Sequence, residues 1–81
     1  MATTTSITFA QPTARRVTIE VFDLEGQRVR TLAWSREYPA GTHSLTWDGR
    51  DGSGRRLPSG VYVLWLSAAG DKDSRGIVLL H

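Results

Sequence analysis

Eighty-one residues suffice for one small domain with a modest core, and residues 1–81 are read as a single domain. Ten Lys+Arg against eight Asp+Glu leave a formal net charge of +2, with acids interspersed among the bases, so the clustered cationic face that nucleic-acid binding needs is absent. There is no cysteine for disulfides or thiolate metal sites, and no apolar run approaches the roughly 20 residues of a membrane-spanning helix.

In chain order, Thr5 to Ala10 alternates with Ile7 and Phe9 on one side and is ended by Pro12, which cannot donate to a ladder. Arg16 to Phe22 has the clearest two-residue period: Val17, Ile19 and Val21 against Arg16, Thr18 and Glu20, the pattern of an antiparallel strand with one wet face. Asp23-Leu24-Glu25-Gly26 predicts a hairpin turn with Gly26 left-handed. Gln27 to Ala33 predicts its partner strand, and the shift between its apolar positions and those before the turn predicts a bulge. Trp34 to Gly41 reads as a polar connection to a second sheet. Thr42 to Asp48 alternates again, with His43, Leu45 and Trp47 opposite Ser44 and Thr46.

The stretch from Trp47 to Tyr62 holds four glycines and Pro58 between two apolar runs. It predicts an elaborate turn in which Asp48 and Asp51 bond backbone amides while Gly49 and Gly54 supply conformations closed to other residues. Val61 to Ala68 is apolar on both faces, Val61, Val63 and Trp65 against Tyr62, Leu64 and Leu66, which predicts a strand that is central or covered on both sides. Trp47 and Trp65 are both expected in the core. Ala69 to Asp73 reads as a turn and Ser74 to Leu80 as the closing strand. No helical period of useful length occurs. The pattern predicts an all-β, antiparallel β-sandwich of about seven short strands, immunoglobulin-like or fibronectin III-like in type.

Chemistry is sparse. Asp48 and Asp51 among glycines offer oxygen ligands of the kind calcium loops use, but Arg50 sits between them and no closing glutamate follows, so turn capping is the preferred reading and no metal or cofactor is expected. Ser53 in Gly-Ser-Gly lacks the strand-to-helix context of a nucleophile elbow. His43 lies in a strand and His81 is the final residue, so no nucleophile, base and orienter come together and no enzyme is expected. Trp34 and Tyr38, in the connection, offer flat faces for a sugar ring, which keeps a small carbohydrate-binding module as an alternative.

Five segments together resemble a known module: Ile7-Thr8-Phe9 with Pro12; Val17 to Val29; Pro39-Ala40-Gly41-Thr42-His43; Trp47-Asp48-Gly49-Arg50-Asp51 with Gly54; and Ser59-Gly60-Val61-Tyr62. The chain is similar to the immunoglobulin-like domain found in the flagellar hook-capping protein and at the C-terminus of secreted bacterial proteins. That resemblance implies a non-catalytic role of one of two kinds. One is a C-terminal sorting or anchoring module of the type IX secretion system, recognised by secretion machinery. The other is a structural scaffold that spaces a parent protein or associates with copies of itself through sheet edges. In either case the expected partner is a protein, and the residues implied in binding it are Gly60, Val61 and Tyr62 in the penultimate strand with Arg75, Ile77, Val78, Leu79 and Leu80 in the last. Since Met1 to Ser6 lacks the features of a signal peptide, the chain is expected to be a C-terminal module of a larger exported protein, secreted or at the cell surface.

Overall fold

The computed structural model describes residues 5–80. Six strands follow one another: β1 Thr5–Gln11, β2 Arg15–Phe22, β3 Arg28–Tyr38, β4 Gly41–Trp47, β5 Gly60–Ala68 and β6 Asp71–Leu79. They form two antiparallel sheets, a pair β1-β4 and a four-stranded sheet ordered β3-β2-β5-β6. The two-residue period of each strand sends alternate side chains into one shared core. Ile7 and Phe9 enter it from β1, Val17, Ile19 and Val21 from β2, Trp47 from β4, Tyr62 and Leu64 from β5, and Leu79 from β6.

The turn after β2 closes on Asp23, whose Oδ1 accepts the amides of Glu25 and Gln27 at 2.9 Å each, with Gly26 at φ 85°. The expected bulge lies further along this pair. Ile19 faces Ala33 and Val17 faces Arg36, so Trp34 and Ser35 stand opposite Thr18 alone. Ser35 takes φ 47°, and its amide donates to Thr18 Oγ1 at 3.0 Å. This extra residue lets β3 continue to Tyr38 where the sequence suggested a loop. Only Pro39 and Ala40 then separate β3 from β4.

The correction to Tyr38 follows from that. Its ring is buried, edge-on to Phe9 with centroids 5.0 Å apart and 5.0 Å from the ring of His43. Trp34, by contrast, is 67% exposed on β3. The two aromatics imagined as one sugar platform are thus separated, one in the core and one in solvent.

β5 is central, between β2 and β6, but its faces are assigned opposite to the expectation for tryptophan. Tyr62 and Leu64 are buried, while Trp65 is 40% exposed on the outer side. Periodicity alone could not choose, since both sets are apolar. A buried phenol needs an acceptor, and Tyr62 has one: its hydroxyl donates to the Pro58 carbonyl at 2.7 Å. This bond back to a residue four positions upstream is the tyrosine corner of immunoglobulin-like sandwiches. Burial, and then the nearby Asp23 carboxylate, raise the Tyr62 pKa and keep the donor protonated. Tyr62→Phe is expected to lose about 1 kcal/mol of stability, read by urea unfolding at neutral pH.

β5 and β6 are joined by a two-residue turn, Ala69 and Gly70, with φ of 49° and 87°. Two successive positive φ values suit the right-handed twist of a tight hairpin. Asp71, Lys72 and Asp73, expected in the turn, therefore belong to β6, which pairs with β5 in unbroken register from Ala68 opposite Asp71 to Gly60 opposite Leu79.

Candidate functional site

The glycine-rich segment leaves β4 at Trp47 and folds back along the edge of β3. Asp48 Oδ1 accepts the Arg50 amide at 3.1 Å. Asp51 is the hub: its Oδ1 accepts the amides of Ser53 at 3.0 Å and Arg55 at 2.9 Å, and the Ser53 hydroxyl at 3.2 Å. Gly49 and Gly54 take φ of 74° and 88°. Backbone bonds from Asp51 to the Arg55 carbonyl, at 2.9 Å, and from Leu57 to the Gly49 carbonyl, at 2.9 Å, close the loop on itself.

Two contacts fasten it to the sheet. The Gly52 amide donates to the Val29 carbonyl at 3.0 Å. Arg30, at an inward register position opposite Val21, donates to Asp48 Oδ1 at 3.1 Å and to the Arg50 carbonyl at 3.0 Å. The role of Arg30 was missed in the sequence, because its place opposite Val21 depends on the register set by the irregularities of the β2–β3 pair.

These bonds engage one carboxylate oxygen of each aspartate within the loop and its anchor. Asp51 binds its own loop and Asp48 is paired with Arg30, and among the described residues no three His, Cys, Asp or Glu side chains converge as a metal site would require. The backbone amide of Arg55 is the main cause that lowers the Asp51 pKa. Such a group contributes stability above the ordinary carboxylate pKa, and the contribution is lost as pH falls through its lowered folded value. The stability gap between the parent and Asp51→Ala, read by urea unfolding at pH 6 and pH 2.5, is therefore expected to narrow at the acid end.

Among the described residues no catalytic grouping emerges either. His43 Nε2 lies 2.7 Å from the Pro39 carbonyl beside Phe9 and Tyr38, whereas Ser53 sits in the loop capped by Asp51. His81 lies outside the described residues. A cleft of about 140 Å³ opens between the end of β1 and the β5–β6 hairpin, and two of its charged walls are tied to each other. Arg15 holds the Gln11 side chain at 2.8 and 3.1 Å and Asp71 at 3.0 Å.

The eight residues implied in partner binding gather at one end of the β5–β6 ladder, where Gly60, Val61 and Tyr62 face Leu79, Val78 and Ile77. They differ in access. Tyr62 and Leu79 are core residues, Ile77 is half-buried against that core, and Val61, Val78 and Leu80 are exposed. Arg75 reaches across the open side of the sandwich and donates to the Thr8 carbonyl of β1. β6 ends its sheet. Its second half, Gly76 to Leu79, and the following Leu80 carry no charge, whereas its first half carries Asp71, Lys72, Asp73 and Arg75.

Against this geometry stand the likenesses to known proteins. Residues 2–72 match the model of the FlgD Ig-like domain, leaving most of β6 outside the match. The basal-body rod modification protein FlgD of Salmonella typhimurium is 39% identical over 59 residues, covering 73% of this chain and 25% of the relative. The Escherichia coli protein of the same name is 39% identical over 71 residues, covering 84% and 30%. FlgD structures from P. aeruginosa and from Xanthomonas campestris, the latter described for hook capping in flagellar assembly, superpose with TM-scores of 0.73 at 27% identity. They cover 94% and 96% of this chain and 58% of theirs.

The chain thus spans between a quarter and a third of the curated relatives' length. Its location as a secreted or surface-sorted module is corrected by these matches, since rod modification and hook capping are roles in building a flagellum. None of the relatives named here is a type IX sorting domain or a carbohydrate-binding module. The relatives are proteins of flagellar assembly, not enzymes. On the span and identity of these matches, the chain belongs to the FlgD Ig-like domain family.

Proposed function

We propose that this chain is a structural docking domain of a protein that works in flagellar assembly, and that it holds a protein partner at the second half of β6. The observation that carries the reading is the end of the β5–β6 ladder. A terminal strand offers unpaired backbone N–H and C=O groups that an added strand can use, and beside them Val61, Val78 and Leu80 stand in solvent. At the other edge of the sheet the glycine-rich loop covers the start of β3 through Gly52 and Arg30. The first half of β6 is charged, as natural edges that resist pairing are, while the second half lacks that protection.

A domain replacement tests this. The Ig-like domain of the Escherichia coli relative is exchanged for this chain, and the chimera is expressed in a strain lacking the native protein. The chimera is expected to restore hooks and swimming, and the same chimera with Val78→Lys is expected to accumulate folded but to restore neither. A folded, abundant chimera that builds no hooks would overturn the assembly role. Swimming by the Val78→Lys chimera would overturn the placement of the docking edge.

A further inference from the structure

We propose that the strand received at this edge belongs to an acidic partner protein: it carries carboxylates beside its apolar residues, and Arg50 and Arg56 take them. The inference rests on the docking reading above and names the chemistry of its occupant. The glycine-rich loop brings the two arginines to the docking end of β6. Gly49 is buried and pressed on the side chain of Leu79, so closely that a Cβ there would lie 2.8 Å from Leu79 Cδ1. Arg50 is the next residue. The Leu57 amide, donating to the Gly49 carbonyl at 2.9 Å, draws the returning arm of the loop, with Arg56 on it, to the same place.

Arg50 and Arg56 face one another across an antiparallel bridge between the two arms. Facing residues of such a pair project to the same side, and like charges placed in this way repel. The loop does not relieve that repulsion. Arg50 Nη1 donates to the Gly54 carbonyl at 2.9 Å, a neutral acceptor. Among the described residues no ion pair includes Arg50 or Arg56, and both are exposed. The carboxylates nearest in sequence are engaged elsewhere, Asp48 Oδ1 by the Arg30 side chain and the Arg50 amide, Asp51 Oδ1 by the amides of Ser53 and Arg55.

The ladder beside them offers no acid either, since β5 from Gly60 to Ala68 and the chain from Gly76 to Leu80 are uncharged. Two unpaired guanidinium groups thus stand next to an apolar edge. A carboxylate placed between them replaces a repulsion with two attractions and can be held by the planar fork of each arginine. That distinguishes the site from a lone exposed ion pair, which is worth little. An incoming strand with apolar residues over Val61 and Val78 and acidic residues toward the loop satisfies both features. A second copy of the chain paired along Gly76 to Leu80 supplies no such carboxylate, so the complementarity points to a foreign strand.

Two synthetic peptides test this against the full 81-residue chain, valine alternating with glutamate in one and with lysine in the other, with binding followed through the backbone amide resonances. The glutamate peptide is expected to shift the amides of Gly76 to Leu80 and to bind at least about tenfold more tightly than the lysine peptide at low salt. Added salt is expected to narrow that difference. Arg50→Gln combined with Arg56→Gln, whose spectrum also reports whether the domain is folded, is expected to bring the two affinities within about twofold of each other. Arg16→Gln, exposed on β2, is expected to leave the difference unchanged. Equal affinity of the parent for the two peptides, a difference that salt does not narrow, or one that survives in the folded double variant would overturn the inference and leave the docking edge intact. Failure of both peptides to move the β6 amides would overturn the edge and the inference together.

Discussion

Trp47→Ala is expected to lower stability by about 3–5 kcal/mol, the largest effect of any single truncation in the chain. The indole is fully buried at the end of β4. It stands edge-on to Tyr62 with centroids 5.5 Å apart, and its Nε1 donates to the Arg50 carbonyl at 3.1 Å. Removing it opens a cavity beneath both sheets and leaves a loop carbonyl without its donor. A domain of this length has about 4–12 kcal/mol in total, so the variant sits close to unfolding at room temperature. Trp65→Ala is the internal comparison. Part of that ring is in solvent, and the change is expected to cost about 1–2 kcal/mol by area, an upper figure for a compact unfolded state. Thermal and urea unfolding of the two variants side by side reads the face assignment of β5, and equal losses would reverse it.

Gly49→Ala is expected to cost about 2–5 kcal/mol, summing a left-handed backbone penalty and overpacking. Gly49 has φ 74°, and a Cβ there would lie 2.8 Å from Leu79 Cδ1. The loop that follows β4 is in this way pressed directly against the last strand, and Leu79 is itself fully buried with little room to retreat. Gly54→Ala separates the two causes. Gly54 has φ 88° but open space around it, so only the backbone penalty of about 1–2 kcal/mol applies. Urea midpoints that fall equally for both variants would show that the Leu79 contact carries no weight.

What was legible in the sequence depended on whether a pattern had one physical solution. Val17, Ile19 and Val21 alternate with Arg16, Thr18 and Glu20, and only one face of β2 could be wet. The turn at Asp23 to Gly26 was equally determined, by an aspartate that bonds amides ahead of it and a glycine in the left-handed region. At β5 both faces were apolar, and the choice fell to a hydrogen bond from Tyr62 to Pro58 that periodicity does not encode. Trp34 to Tyr38 looked like a loop because the bulge at Ser35 breaks the alternation that marks a strand. The candidate edge was readable as a cluster of residues, but not which of them are accessible. Arg75 is engaged with β1, and Tyr62 and Leu79 are interior, facts that come from how the two sheets meet.

Amide hydrogen exchange of the domain within the full-length chimera, compared between its assembled and dissociated states, tests the central claim most directly. Slowed exchange confined to Gly76 through Leu80 is the predicted result, since an added strand takes up the free backbone groups of β6. Slowing that appears instead around Trp34, or along β1 and β4, with β6 unchanged, would contradict the placement of docking at this edge.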